Sequence, residues 1–196
     1  EHYGTPVWNP FLSKISPGGK VVIKPNLVFH SHPDGEAGVI SMITHASVIR
    51  PIIDYILLAT GGDVHITICD VPLQSAHWDE LIRISGLQSL VDFYSARGVS
   101  VALSDFRYEI ATQSKEGIII ARDHKVRDPL GYTAVDIGKE SALMDIIHDA
   151  DKLEITDYPL GTVSAHHNEE KNEYLIPNTV LECDLFINVP KPQIGI

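Results

Sequence analysis

The stretch VVIKPNLVFHSHPD, residues 21–34, contains the feature that decides the fold. Its first residues are mostly β-branched and apolar, which predicts a buried strand over Lys20–Val28, opened by the turn Pro17-Gly18-Gly19. This strand ends in a lysine, an amide and a pair of histidines rather than in ordinary turn residues. Because such groups bind anions or metal ions, the sequence indicates a site where the strand ends.

A crossover helix is expected next, after a loop over Phe29–Ser41. Thr44 is suited to cap this helix, apolar residues follow at helical spacing, and Gly61-Gly62 should end it. Pro51 falls inside the pattern and predicts a kink or a later start. Val64–Cys69 reads as the next strand, so this is a β-α-β unit whose two strands should be parallel.

The alternation of helix and strand continues to about residue 105 and then changes. The further elements predicted are a helix over Trp78–Arg97 broken near Gly86, strands at Val99–Ser104, Tyr108–Gln113, Gly117–Arg122 and Tyr132–Ile137, a short helix at Ser141–Asp149, an irregular stretch at Thr156–Tyr174, a connector with one helical turn at Pro177–Cys183, and a strand at Asp184–Val189. We therefore expect an α/β fold. It should have an open, mostly parallel sheet flanked by helices and a β-rich insertion in the second half, all within a single domain over residues 1–196.

Composition disfavours several classes of partner. The formal net charge is −11, which disfavours nucleic acid because such binding relies on Lys and Arg, and it also disfavours anionic membranes. No apolar run approaches the roughly 20 residues needed to span a membrane. A cytoplasmic location is expected. Cys69 and Cys183 lie far apart; they should be reduced core residues, with a disulfide as the alternative. They cannot hold an iron–sulfur cluster alone, since such a cluster needs closely spaced cysteines.

These residues resemble a known family, DUF362, a domain of unknown function. The resemblance rests on VVIKPNLV at 21–28, THASVIRPIIDYI at 44–56 with the following Gly61-Gly62, the strand-end Asp70-Val71-Pro72, and HHNEEKNEYLIPNTVLECDLFINVPKP at 166–192. It implies an α/β domain with a site at the strand ends. The family pattern continues beyond Lys191 with a Lys- and Gly-rich segment, so we expect the domain to be incomplete at its C-terminus or to lack a loop near residues 193–194.

The candidate ligand-binding residues are Lys24, Asn26, Asp70, Asn188 and Lys191. Ligands of open α/β sheets bind outside the carboxyl ends of the strands, where these residues fall. If the two strands are neighbours, Lys24 and Lys191 converge on one pocket suited to phosphate or carboxylate. The alternative is structural: Lys24 pairs with a carboxylate, Asn26 and Asp70 cap turns, and Lys191 is a solvated loop residue.

Histidines supply the candidate chemistry. His166, His167 and Glu170 are the candidate catalytic residues, because an imidazole with a carboxylate partner can act as a general acid or base. Adjacent histidines usually point in different directions, so we expect at most one of the two to serve a site directly. The alternative is a polar surface loop. His30 and His32 could ligate a divalent metal ion together with Asp34, or with His166 and His167, although surface histidines are the commoner outcome.

Three functions are open at this point. The favoured one is an enzyme that acts on a small anionic molecule, a phosphate or a carboxylate, in a lysine- and histidine-lined pocket. The second is a non-catalytic accessory module that binds a ligand or metal. The third is a redox component whose iron–sulfur cluster lies outside this chain. The sequence names no cofactor beyond a candidate divalent metal ion and sets no oligomeric state.

Overall fold

The computed structural model describes residues 3–5 and 7–192, and the chain divides into two compact units. The first unit comprises the chain up to Pro72, Ala76–Arg107 and the chain from Glu182 onward; the second comprises Leu73–Ser75 and Tyr108–Leu181. The second unit is thus an insertion into the first. The missing segment expected near Gln193 and Ile194 lies outside the described residues.

Helices and strands alternate in the first unit, and strands dominate the second. In chain order the elements are β1 (Gly19–Pro25), α1 (Gly35–Met42), α2 (Ala46–Thr60), β2 (Val64–Asp70), α3 (Trp78–Ile84), α4 (Leu87–Ser95), β3 (Val101–Asp105), β4 (Glu109–Gln113), β5 (Ile119–His124), β6 (Tyr132–Asp136), two 3₁₀ segments (Gly138–Glu140 and Ala142–Lys152), α5 (Thr162–His166), β7 (Glu173–Pro177), α6 (Asn178–Leu181) and β8 (Leu185–Val189).

The first unit is built on a four-stranded sheet in the order β3-β2-β1-β8, with every neighbouring pair parallel. Alternate residues of the central strands face the helices: Val21 and Ile23 of β1 and Ile66 and Ile68 of β2 are almost fully buried in one apolar cluster. The parallel β-α-β prediction is confirmed, and so is the α/β class. The strand β8, about 160 residues after β1, is its neighbour.

The start of α2 differs from the prediction, because Thr44 is not its cap. His45 is the N-cap residue, and its side chain accepts a hydrogen bond from the Ser47 N–H. Thr44 is instead buried and fixes the loops at the sheet edge. The helix continues through Pro51 and ends as predicted at Gly61, whose φ of 65° is accessible to glycine without strain.

The predicted loop over Phe29–Ser41 is partly wrong, since α1 occupies its second half. Two glycines and a proline made this stretch look like a loop. One of these glycines, Gly38, serves a packing role instead, because a Cβ there would lie 2.0 Å from His32 Nδ1. The helix can therefore lie directly on the imidazole ring of His32.

Within the described residues, one segment is long and apolar enough to cross a membrane by length and composition, Gly35–Thr60. This signal is weak, because a core helix of a soluble protein passes the same test. The segment consists of α1 and α2 separated by non-helical residues, and Ile49, Ile53 and Ile56 of α2 are fully buried in the core. The structure thus resembles a soluble α/β domain.

The second unit confirms the predicted β-rich insertion. β4 pairs with β5 and β6 pairs with β7, both antiparallel. The helix predicted over Ser141–Asp149 is a 3₁₀ segment, and Ser141 caps it by accepting a hydrogen bond from the Leu143 N–H. The stretch Thr156–Tyr174, predicted to be irregular, contains α5.

Candidate functional site

The carboxyl end of the parallel sheet collects the predicted ligand-binding residues of the first unit. Lys24 of β1 lies opposite Asn188 of β8 in the register, so the two side chains leave the same face of the sheet. Lys191 follows β8 by two residues and is half-buried, while Asn188 is exposed. The condition for Lys24 and Lys191 to converge, that the two strands are neighbours, is therefore met, and the shared pocket stays a prediction.

Lys24 is held by a buried carboxylate. Its Nζ lies 2.7 Å from Asp70 Oδ1, and the Leu27 N–H donates to Asp70 Oδ2 at 2.7 Å. The carboxylate side chain is 3% exposed and the lysine side chain is 36% exposed. Lys24 Nζ also donates to the Pro25 carbonyl at 3.2 Å. Asp70 thus fixes both the ammonium group and the first turn after β1, as the structural alternative requires, while the ammonium stays accessible.

Asn26 is turned toward the protein rather than toward an open pocket. Its side-chain amide donates to the Met42 carbonyl at 3.3 Å, and its backbone N–H donates to Thr44 Oγ1 at 3.0 Å. The Thr44 hydroxyl in turn donates to the Val189 carbonyl at 2.8 Å. These bonds connect the ends of β1 and β8. Because the side-chain amide of Asn26 is used in one of them, a ligand-binding role for Asn26 stays a prediction.

The loop after this edge contains a strained residue. Val28 has a φ of 34°, in the left-handed region that a β-branched residue rarely adopts. Such conformations persist only where surrounding contacts enforce them, and they cluster at functional sites. Here the strain marks the point at which the chain turns from β1 toward His30.

A pocket of about 480 Å³ follows in the same unit, lined by His30, Ser31, His32, Gly35, Glu36, Val39, His77, Glu80, Arg83 and Ile84. The loop after β1 supplies His30 and the loop after β2 supplies His77, so the pocket belongs to the carboxyl end of the sheet. The ligand atoms of His30, His77 and Glu80 all lie within 4.8 Å of one another.

His30 is electrostatically disposed to be neutral. Burial lowers the pKa of His30 below its ordinary value, and the coulombic effects of His77 and Arg107 lower this pKa further, with Glu80 acting in the opposite direction. The imidazole of His30 stacks on that of His77 at 3.9 Å between ring centroids. A neutral imidazole is the form that ligates metal ions.

The structure does not bring His32 into this cluster. Its Nδ1 accepts a hydrogen bond from the Asp34 N–H at 3.0 Å, and its ring lies against Gly38. The prediction assumed an extended segment, on which residues two apart share a side, whereas here the chain bends into α1. Sequence reasoning missed His77 and Glu80, although a histidine three residues before a glutamate at the start of a post-strand helix is a readable signal.

Arg107 was also missed. Its side chain is 2% exposed and forms a bidentate ion pair with Asp105. The guanidinium also donates a hydrogen bond to the Ala76 carbonyl at 2.7 Å. Asp105 lies opposite Asp70 in the sheet register, so this edge carries two ion pairs side by side, each with a buried or nearly buried carboxylate. A buried arginine has no periodic sequence signature, and only the fold reveals it.

The second unit holds the predicted catalytic histidines in a pocket of its own, of about 490 Å³. Its lining residues are Gln74, Tyr108, Glu109, Ala134, Ile155, Tyr158, Pro159, Thr162, Val163, His166, His167, Glu173, Tyr174 and Leu175. Both histidines line this pocket, where we expected at most one to serve a site. A concave, largely apolar site with a few convergent polar groups is the usual form of a ligand pocket.

His166 pairs with Glu173 rather than with Glu170. His166 Nδ1 and Glu173 Oε2 are 3.1 Å apart, and Lys171 Nζ donates to the same oxygen at 2.6 Å. Glu170 lies in the turn, with its N–H on Asn168 Oδ1 and its side chain exposed. Glu173 faces His166 because it opens β7 after that turn.

These contacts determine the electrostatics of the pair. The hydrogen bond from Lys171, followed by that from His166, holds the pKa of Glu173 below its ordinary value. His167 packs edge-to-face on Tyr174 with ring centroids 4.9 Å apart, and its buried Nδ1 has no hydrogen-bond partner among the described residues. The unit therefore combines an ionised carboxylate, an oriented imidazole and a second imidazole with an unpaired nitrogen.

Searches of curated proteins and of solved structures each gave no match. A family model described as "Domain of unknown function (DUF362)" matches residues 21–125, more than half of the chain. The match begins at Val21 in β1 and includes Lys24 as well as the His30, His77 and Glu80 cluster. We conclude that the chain belongs to the DUF362 family.

Proposed function

We propose that this protein is an enzyme that acts on a small anionic molecule, a phosphate or a carboxylate, bound at the carboxyl end of the parallel sheet. One observation carries the proposal. The Lys24 ammonium is fixed at 2.7 Å from a buried aspartate yet keeps 36% of its side chain exposed, at the edge where open α/β sheets bind ligands. The ion pair alone also fits a structural role, and the exposed part of the lysine side chain is what leaves room for an anionic ligand.

Charge supports an anionic ligand of this kind. In a chain of net charge −11, an anion approaches favourably only where cations are concentrated. Lys24, with Lys191 after the neighbouring strand, supplies cations at this edge, and the exposed Asn188 amide adds a neutral donor. Asp70 offsets part of the charge of Lys24 but fixes its direction. The anion site would therefore attract its ligand only modestly but would hold the Lys24 ammonium group in a defined position.

Proton transfer is assigned to His166. Its Nδ1 is engaged by Glu173, so Nε2 is the nitrogen left to give or take a proton in the pocket of the second unit. The carboxylate holds the ring in one orientation and stabilises the imidazolium when it forms. His167 lines the same pocket, and we assign it to ligand contact. The shared pocket predicted for Lys24 and His166 stays a prediction.

The first experiment measures anion binding. We expect inorganic phosphate or malonate to bind the wild-type protein in a calorimetric titration, and Lys24→Gln to weaken binding at least about tenfold, or 1.4 kcal/mol. Glutamine keeps a hydrogen bond to Asp70 but removes the charge. Lys20→Gln, on the same face of β1 at its other end, is the matched control. Equal binding by the Lys24→Gln protein and the wild type would refute the proposal.

The second experiment tests catalysis. Incubation with a panel of phosphorylated and carboxylated metabolites, followed by mass spectrometry, should show turnover that His166→Gln abolishes and His65→Gln, an exposed histidine on β2, does not. Anion binding without turnover would instead favour the accessory binding module. We also propose a cytoplasmic location, which subcellular fractionation of the native organism would test.

A further inference from the structure

We infer that His30, His77 and Glu80 form a binding site for a divalent transition-metal ion, with Zn²⁺ as the representative ion. Their ligand atoms lie within 4.8 Å of one another in the pocket at the end of β1 and β2. The inference concerns a different set of residues from the anion site and does not depend on it.

The fold places the three side chains from two directions. His30 comes from the loop after β1, whereas His77 is the N-cap residue of α3 and Glu80 follows one turn later. The spacing of three residues puts His77 and Glu80 on one face of the helix, with His77 Nδ1 and Glu80 Oε2 3.9 Å apart. His30 lies against His77 with the two rings stacked at 3.9 Å between centroids, so the rings must rotate for their nitrogens to share one ion.

The donor set matches the chemistry of zinc and similar ions. Two imidazoles and one carboxylate are a known three-ligand set for Zn²⁺, and they leave a fourth position for water or a ligand. Tetrahedral coordination at 2.0–2.1 Å requires donor atoms about 3.4 Å apart, so the group must contract. It has room to do so, because the side chains of His77 and Glu80 are 70% and 45% exposed.

Arg83 provides an outer contact for the carboxylate ligand. Its Nη2 lies 3.9 Å from Glu80 Oε1 and 3.2 Å from Glu36 Oε2. The hydrogen bond of Arg83 goes to Glu36, so Arg83 is a charged neighbour of Glu80 at 3.9 Å and no hydrogen-bond partner of it. The pocket of about 480 Å³ leaves space beside the ion for a small molecule.

Metal binding has a specific structural consequence. In the described structure the His77 N–H donates to His30 Nδ1 at 3.2 Å. A neutral imidazole has one N–H and one lone pair, and a bound metal ion takes the lone pair whichever nitrogen ligates. The His77 amide must therefore lose this acceptor when the metal binds, and its NMR signal should shift.

The test is a titration of the intact chain with Zn²⁺ by calorimetry and with Co²⁺ by visible absorption. We expect one ion to bind per chain. The visible absorption of bound Co²⁺ should be that of a coordination site of low symmetry. His77→Ala and Glu80→Gln should each weaken Zn²⁺ binding at least about 100-fold, more than the 10- to 100-fold typical of an outer-shell partner. His65→Ala is the control, with an exposed histidine on β2. Circular dichroism verifies that each variant is folded.

Three outcomes would overturn the inference. The first is a Zn²⁺ affinity equal to that of the wild type in both the His77→Ala and the Glu80→Gln proteins. The second is a loss of Zn²⁺ binding in His32→Ala but not in His77→Ala. The third is a His77 amide NMR signal that does not move when the protein is saturated with Zn²⁺. The Lys24→Gln protein should bind Zn²⁺ normally. Failure of the anion site would thus be seen separately from failure of the metal site.

Discussion

The ion pair between Lys24 and Asp70 gives the sharpest prediction about stability. Lys24→Met should cost more free energy of unfolding than Asp70→Asn, although both remove the same contact. The reason is burial: the first change leaves a carboxylate with a 3% exposed side chain without its cation, whereas the second leaves a lysine whose side chain is already 36% exposed. Water can hydrate the lysine that loses its partner in Asp70→Asn, whereas the buried carboxylate that loses its partner in Lys24→Met stays without water.

The magnitudes follow from the contacts. Breaking a buried pair so that one charge stays inside costs about 3–5 kcal/mol, and the partial exposure of Lys24 points to about 3 kcal/mol for Lys24→Met. Asparagine can still accept from the Leu27 N–H, so Asp70→Asn loses only the charge-assisted bond, for which we expect about 2 kcal/mol. The pair should be strongly non-additive in the double variant.

Urea unfolding followed by tryptophan fluorescence is the assay, because the chain has two tryptophans, Trp8 and Trp78, and both belong to the first unit. Lys20→Met and Asp63→Asn are the controls, since both residues are exposed at the other end of β1 and β2. Each control should stay within about 0.5 kcal/mol of wild type. A larger loss in Asp70→Asn than in Lys24→Met would refute the reasoning.

Three further predictions concern other contacts. Thr44→Val should cost about 1–3 kcal/mol in urea unfolding, because it removes a buried hydroxyl that bridges two backbone groups; wild-type stability would contradict this. Gly38→Ala should cost about 1–3 kcal/mol through a clash with the His32 ring, and the loss should disappear in the Gly38→Ala, His32→Ala double variant. Lys171→Ala should raise the pKa of Glu173 toward its ordinary value, as measured by carboxyl NMR titration. The carboxylate form is favoured in the folded protein, so this stabilisation is present above the ordinary pKa and lost as the pH falls through the lowered value; an unchanged pKa would exclude Lys171 as its main cause.

The sheet was predictable from local patterns because its strands are short, apolar and bounded by turn residues. Val21–Ile23 and Val64–Cys69 show this, and the β-α-β rule then fixed their parallel pairing. The end of α2 was equally readable from Gly61-Gly62. The start was not, because Thr44 satisfies the same capping pattern whether its hydroxyl bonds its own helix or a distant carbonyl.

The candidate site was predictable in its location but not in its partnerships. Lys24 could be assigned to the sheet edge from its position in the strand, but the contact with Asp70 spans a crossover and depends on the fold. His30 was recognised and grouped with His32, since two residues of spacing implied an extended chain, whereas the structure places its ring beside that of His77. Glu173 was overlooked as the partner of His166 because it lies beyond a turn whose length the sequence does not reveal.

The late arrival of β8 affects how the protein folds during synthesis. Lys20 of β1 bonds Asp184, 164 residues further along the chain. At 5–20 residues per second the ribosome needs on the order of ten seconds or more to supply that partner. Until then one edge of β1 has unpaired backbone groups, which is the condition that favours aggregation or chaperone binding. Asn188 reaches the sheet only at the end of this interval, so the proposed anion site could be completed only then.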